Sequence, residues 1–181
     1  MKLALVSCLI SLATPVLGDG CPPAPDHGIA LSQLLDEVRD APNEMAGRQI
    51  SNRMWEYWAD APDEPAQALL DEGMRARGAY DFLRATRAFD RLVDYCPEYA
   101  EGYNQRAFVN FLRRDFAAAL PDLNQAIALS PDHVAALAGK ALTLIELGRD
   151  DEAQVVLRRA VALNPWISER HLLREAPGQE L

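Results

Sequence analysis

The chain has 181 residues, 27 acidic side chains against 18 basic ones, and a formal net charge of −9, which suits one domain of ordinary size. Such an acidic surface repels nucleic-acid phosphates and anionic lipid headgroups, and no run of cations supplies a basic patch, so electrostatic binding to either is disfavoured.

Residues 1–18 open with Lys2 and continue through an uncharged, largely apolar run from Leu3 to Leu17. A spanning helix needs about 20 apolar residues, whereas this run ends at Val16 and Gly18, spaced as at a signal-peptidase site. A secretory leader cut after Gly18 is therefore expected. Nearly all cations are arginine, as in a GC-rich bacterium, which places the exported chain in the periplasm with no membrane association after cleavage. Residues 19–28 read as a flexible segment. Cys8 leaves with the leader, and Cys21 and Cys96 remain in a compartment that oxidises thiols. A bridge between them would contribute roughly 4 kcal/mol by loop closure. The alternative is a free Cys21, with Cys96 a small apolar side chain in a last helical turn. Lipid attachment at Cys21 is disfavoured, because Gly18-Asp19-Gly20 lacks the apolar pattern it requires.

Residues 29–65 predict a helical hairpin. Leu31, Leu34, Leu35 and Val38 recur at helical spacing before Pro42, and Met45, Ile50, Met54, Trp55 and Trp58 form a broad stripe on the second helix. The hairpin is expected to cover the first unit that follows, since a stack of helices must hide its apolar ends. Trp55 and Trp58 are then core residues rather than a ligand platform.

From residue 66 the sequence repeats itself with a period of 34 residues. Pro97, Pro131 and Pro165 hold the period, as do Gly73, Ala107 and Ala141; Ala85, Ala119 and Ala153; Phe89, Leu123 and Leu157; and Leu92, Ala126 and Ala160. Each unit predicts two amphipathic helices and a short turn, with proline ending the second helix. Small residues fall where helices cross, and Leu69, Tyr103 and Leu137 fill the wider gaps. Leu92 departs from the small residue of the other units, and Pro121 inside a helix predicts a kink.

These residues resemble the tetratricopeptide repeat (TPR) family, in units spanning 66–99, 100–133 and 134–167. The segments Met54-Trp55-Glu56-Tyr57-Trp58 and Ala68-Leu69-Leu70-Asp71-Glu72-Gly73 are similar to uncharacterised exported TPR proteins of alphaproteobacteria. The resemblance implies an all-α solenoid whose first helices line a concave groove that binds peptides or partner proteins. Residues 168–181 then predict a capping helix from Ser168 to Glu175 and a frayed tail.

In the family geometry the groove is faced by Leu70, Asp71, Met74, Asn104, Gln105, Phe108, Phe111, Leu142 and Ile145, with Gln67, Ala135, Ala138 and Gly139 beside them. Where relatives that clamp an acidic C-terminus set Lys, Arg and Asn, this chain has Leu70, Met74, Gln105, Ala135 and Gly139. The expected ligand is therefore an apolar helix or strand of another protein, with Asn104 and Gln105 bonding its backbone. The alternatives are filling by residues 19–30 or by a second copy, and a structural subunit of an envelope assembly or homo-oligomer. His27, His133 and His171 belong to no recognisable motif, and zinc, nucleophile-elbow, phosphate-loop and Cys-x-x-Cys signatures are lacking. No enzyme activity, cofactor or metal is expected.

Overall fold

The computed structural model describes residues 20–174; the expected leader with its cut after Gly18, and the expected tail from residue 175, lie outside them. Among the described residues there are eight α-helices and no strand. They are α1 (Gly28–Arg39), α2 (Glu44–Trp58), α3 (Glu64–Gly78), α4 (Phe82–Tyr95), α5 (Ala100–Leu112), α6 (Phe116–Leu129), α7 (Val134–Glu146) and α8 (Asp150–Leu163). No helix among these residues is long and apolar enough to cross a membrane.

The 34-residue period has a backbone counterpart. Tyr80, Arg114 and Gly148 stand at φ 61°, 62° and 70°, one in each turn inside a helix pair. Behind them the same two hydrogen bonds recur. Asp81, Asp115 and Arg149 donate their N–H groups to the carbonyls of Ala76, Asn110 and Leu144 (2.9, 2.8 and 2.9 Å). Tyr80, Arg114 and Gly148 donate to Arg77, Phe111 and Ile145 (3.0, 2.9 and 2.9 Å). This is the Schellman ending, in which a left-handed residue lets the last helical carbonyls find partners. Asp81 and Asp115 then cap the next helix by accepting from the N–H of Arg84 and Ala118, as the short Asp side chain does at an N-terminus.

Helices α3/α4, α5/α6 and α7/α8 form antiparallel pairs, and α3, α5 and α7 lie side by side along one face. The crossing points follow residue size. A Cβ on Gly73 would overlap the Phe89 ring, whereas the two later pairs set Ala107 and Ala141 in place of the glycine and Leu123 and Leu157 in place of the phenylalanine, all buried. Leu92, Ala126 and Ala160 are fully buried alike. Pro121 sits exposed within α6, which runs unbroken to Leu129.

The α1/α2 hairpin does not cover the first pair as expected. Its apolar side chains share a core with the far end of the stack: Leu34, Leu35, Val38, Ile50, Met54 and Trp58 cluster with Val134, Leu163, Trp166 and Ile167. Gly47 lies so close to Trp166 that a Cβ there would enter the indole. Asn164 Nδ2 donates to Ser51 Oγ (2.8 Å), and Arg170 donates to Glu44 (2.8 Å). Apolar burial on the third pair, rather than closure of the nearest end, decides where the hairpin goes. A disulfide joins Cys21 to Cys96, with Cα atoms 5.1 Å apart, so the hairpin is tethered before α1 as well as after α2. The capping helix expected at the C-terminal end is a five-residue 3₁₀ turn, Ser168–Leu172. Its Leu172 carbonyl accepts from Gln154.

Candidate functional site

With α2 over the first helices, the groove narrows to a cleft of about 650 Å³. Its lining comes from α2 (Met54, Trp55, Trp58), α3 (Met74, Arg77), α5 (Phe108, Phe111), α7 (Ala135, Ala138, Gly139, Leu142) and the segment around Trp166. Helix α2 is present because Asn43 caps its start, accepting from the Ala46 N–H (3.0 Å), and because one side carries the buried Ile50, Met54 and Trp58. Tyr99 fixes the other end of α2 by donating its hydroxyl to the Trp58 carbonyl (2.7 Å). Burial pushes the Tyr99 phenol well above its ordinary range, with Glu101 and other nearby acids adding to the effect.

Beneath the cleft lies a polar, internally satisfied network. Glu101 is 1 % exposed and accepts from Asn104 Nδ2 (3.0 Å) and from the Gln105 amide. His133, also buried, caps α7 by accepting the Ala136 N–H at Nδ1 (3.3 Å). Its proton is therefore on Nε2, which donates to Glu101 (2.8 Å). The Trp58 ring stacks on the imidazole, centroids 4.2 Å apart, and so ties α2 to the network. Arg77 donates to Gln105 Oε1 and lies over the Phe108 ring, 4.7 Å from its centroid. Desolvation lowers the Arg77 pKa, opposed by the nearby Glu101 charge. Elsewhere in the lining Glu44 accepts from Arg170 and from Arg48, in that order of effect, and both hold its carboxyl below the usual range.

Met74, Asn104, Gln105, Phe108, Phe111 and Leu142 come together in the cleft lining. Asn104 and Gln105, however, are buried and spend their amides on Glu101; they are not poised to bond a foreign backbone. Leu70 is fully buried, in the cluster that holds Ala61, Phe89 and Tyr99, because the chain entering α3 covers that turn. Asp71 accepts from Gln67 (3.0 Å) and Ile145 is half-buried, both outside the cleft. The groove is narrowed by α2 and not by residues 20–30, whose Cys21 is drawn to the end of α4. Arg77 and Trp166 in the lining, and Glu101 and His133 in the network beneath it, were not foreseen. Glu101 and His133 each begin a helix, where capping is the ordinary explanation. Their pairing across 32 positions leaves no local pattern. Among the described residues no group of three or more His, Cys, Asp or Glu side chains is placed to hold a metal.

Stacked antiparallel helix pairs with an apolar cleft along their first helices define a helical-hairpin solenoid. The family described as tetratricopeptide repeat matches residues 111–174, and the chain is similar to members of that family. Tetratricopeptide repeat protein 36 of Xenopus tropicalis is 34 % identical over 116 residues, covering 61 % of this chain and 56 % of that protein. A TPR repeat-containing protein of Rhizobium etli is 27 % identical over 126 residues, covering 66 % of this chain and 59 % of the relative. The chain thus spans somewhat over half the length of these two relatives. The TPR2B domain of yeast Sti1, solved as a complex with pHsp70, superposes with a TM-score of 0.56 at 26 % identity, covering 60 % of this chain and 89 % of that domain.

Proposed function

We propose that this protein is a non-enzymatic interaction scaffold of the bacterial periplasm, and that an apolar segment of another envelope protein lies in the cleft between α2 and the first helices. Tetratricopeptide domains mediate protein–protein interaction. The observation that carries the finer reading is the cleft wall, where Phe108 remains 44 % exposed beside Met74, Phe111 and Leu142. The segment is extended rather than helical, because α2 already occupies the face and a helix is about 10–12 Å across with its side chains. The Sti1 domain, solved with a bound partner, supports a partner at this fold, although this chain lacks the cationic clamp its resemblance would allow. The leader-like start and the Cys21–Cys96 bridge both suit an oxidising compartment.

Phe108→Glu tests the reading. The new carboxylate faces Arg77, so the fold is expected to persist, while an anion in the apolar wall is expected to abolish partner recovery when the tagged protein is isolated from envelope extracts. Unchanged recovery would remove the cleft as the site. Cell fractionation checks the compartment, and the periplasmic form is expected to begin at Asp19.

A further inference from the structure

The cleft lining holds a guanidinium with donors to spare beyond its hydrogen bond to Gln105 and its place over the Phe108 ring. Arg77 is half-buried in its lining, where desolvation disfavours its charge. Its side-chain hydrogen bond goes to the neutral amide oxygen of Gln105, and no carboxylate among the described residues pairs with it directly. The contrast lies in the same lining: Arg48 donates to Glu44 (2.7 Å), which also accepts from Arg170. The Arg77 fork keeps further N–H groups beyond the one given to Gln105, and a planar carboxylate is their natural partner. Next to it stand the apolar walls of Met74, Phe108, Phe111 and Leu142, within a cleft of about 650 Å³. That volume falls in the range of about 300–1,000 Å³ that small-molecule sites occupy.

We infer that the cleft, with α2 in place, binds a single-headed anionic amphiphile: an apolar chain whose one carboxylate sits on the Arg77 guanidinium while its body lies along Met74, Phe111 and Leu142. This goes beyond the partner reading. The same apolar walls serve both occupants, so a partner segment enters only when the amphiphile leaves.

The chain has three tryptophans, and Trp55, Trp58 and Trp166 all line the cleft, so intrinsic fluorescence reports its occupancy. The disulfide-bonded protein is titrated with decanoate and decylamine below their micelle-forming concentrations and with decanol below its solubility limit. Decanoate is expected to saturate the signal and to bind on the order of tenfold tighter than decanol, as a charge-assisted hydrogen bond allows. Arg77→Gln is expected to erase that preference while decanol still binds, and circular dichroism checks that its helices remain. Phe108→Ala, which removes part of the wall, is expected to weaken decanoate and decanol together. Equal affinity for the three probes in the native protein, or an undiminished decanoate preference in Arg77→Gln, overturns the inference. Either result leaves the partner segment standing, since Phe108→Glu and partner recovery test that separately.

Discussion

At the scale of single residues, the turns inside the helix pairs show where the repeat is imperfect. The Schellman ending needs a left-handed residue, and only Gly148 adopts that conformation without a Cβ penalty; Tyr80 and Arg114 pay about 1 kcal/mol each. Arg114→Gly is therefore expected to raise stability by about 1 kcal/mol in urea unfolding, less a small loss from its contact with Glu146 (3.8 Å). Gly148→Ala is expected to lower stability by a similar amount. A stabilising Gly148→Ala would show that the turn relaxes out of the left-handed region. This part of the backbone was only half legible in the sequence. The turns themselves follow from the period, but the amino acids at residues 80 and 114 do not advertise a positive φ.

At the scale of elements, each helix crossing is a size match rather than a single packing rule. Gly73 against Phe89 does the work that Ala107 against Leu123 and Ala141 against Leu157 do in the later pairs. Gly73→Ala alone overfills the crossing and is expected to cost about 1–3 kcal/mol. Adding Phe89→Leu recreates the pair that the other repeats use, and chemical denaturation of the double variant should recover most of the loss; simple additivity of the two changes would contradict the account. The hairpin is held differently. The Cys21–Cys96 bridge closes a loop with a sequence separation of 75 residues, so removing it as Cys21→Ser with Cys96→Ser is expected to cost roughly 4 kcal/mol. Faster amide exchange should concentrate in α1 and α2, because the bridge tethers the chain just before α1, at the end of the hairpin that the α2–α3 connection leaves free. Uniform loosening would mean that it acts only on the unfolded chain.

At the scale of the whole molecule, the stack was legible and the position of its hairpin was not. Recurrent prolines, small residues and large residues specify three helix pairs because each recurs for the same steric reason. The α1/α2 hairpin carries an equally clear apolar stripe, but a stripe says that a face is buried and not which surface buries it. Its partner, around Val134, Leu163 and Trp166, lies more than 70 positions downstream. One signal was available, Gly47 in the first turn of α2, whose missing side chain admits Trp166. The same long-range placement changes the meaning of the expected groove residues. Phe108 and Phe111 stay available at the cleft, whereas Asn104 and Gln105 belong to the Glu101 network that sits beneath it.

The proposed seating of an apolar segment of another protein in this cleft is best tested by a photoreactive residue placed at Phe108 in living cells. One recurrent envelope protein is expected in the crosslinked product, joined through an apolar stretch of its chain and lost when Met74→Glu is introduced alongside. Crosslinks confined to α2 of the same chain or to a second copy would contradict it.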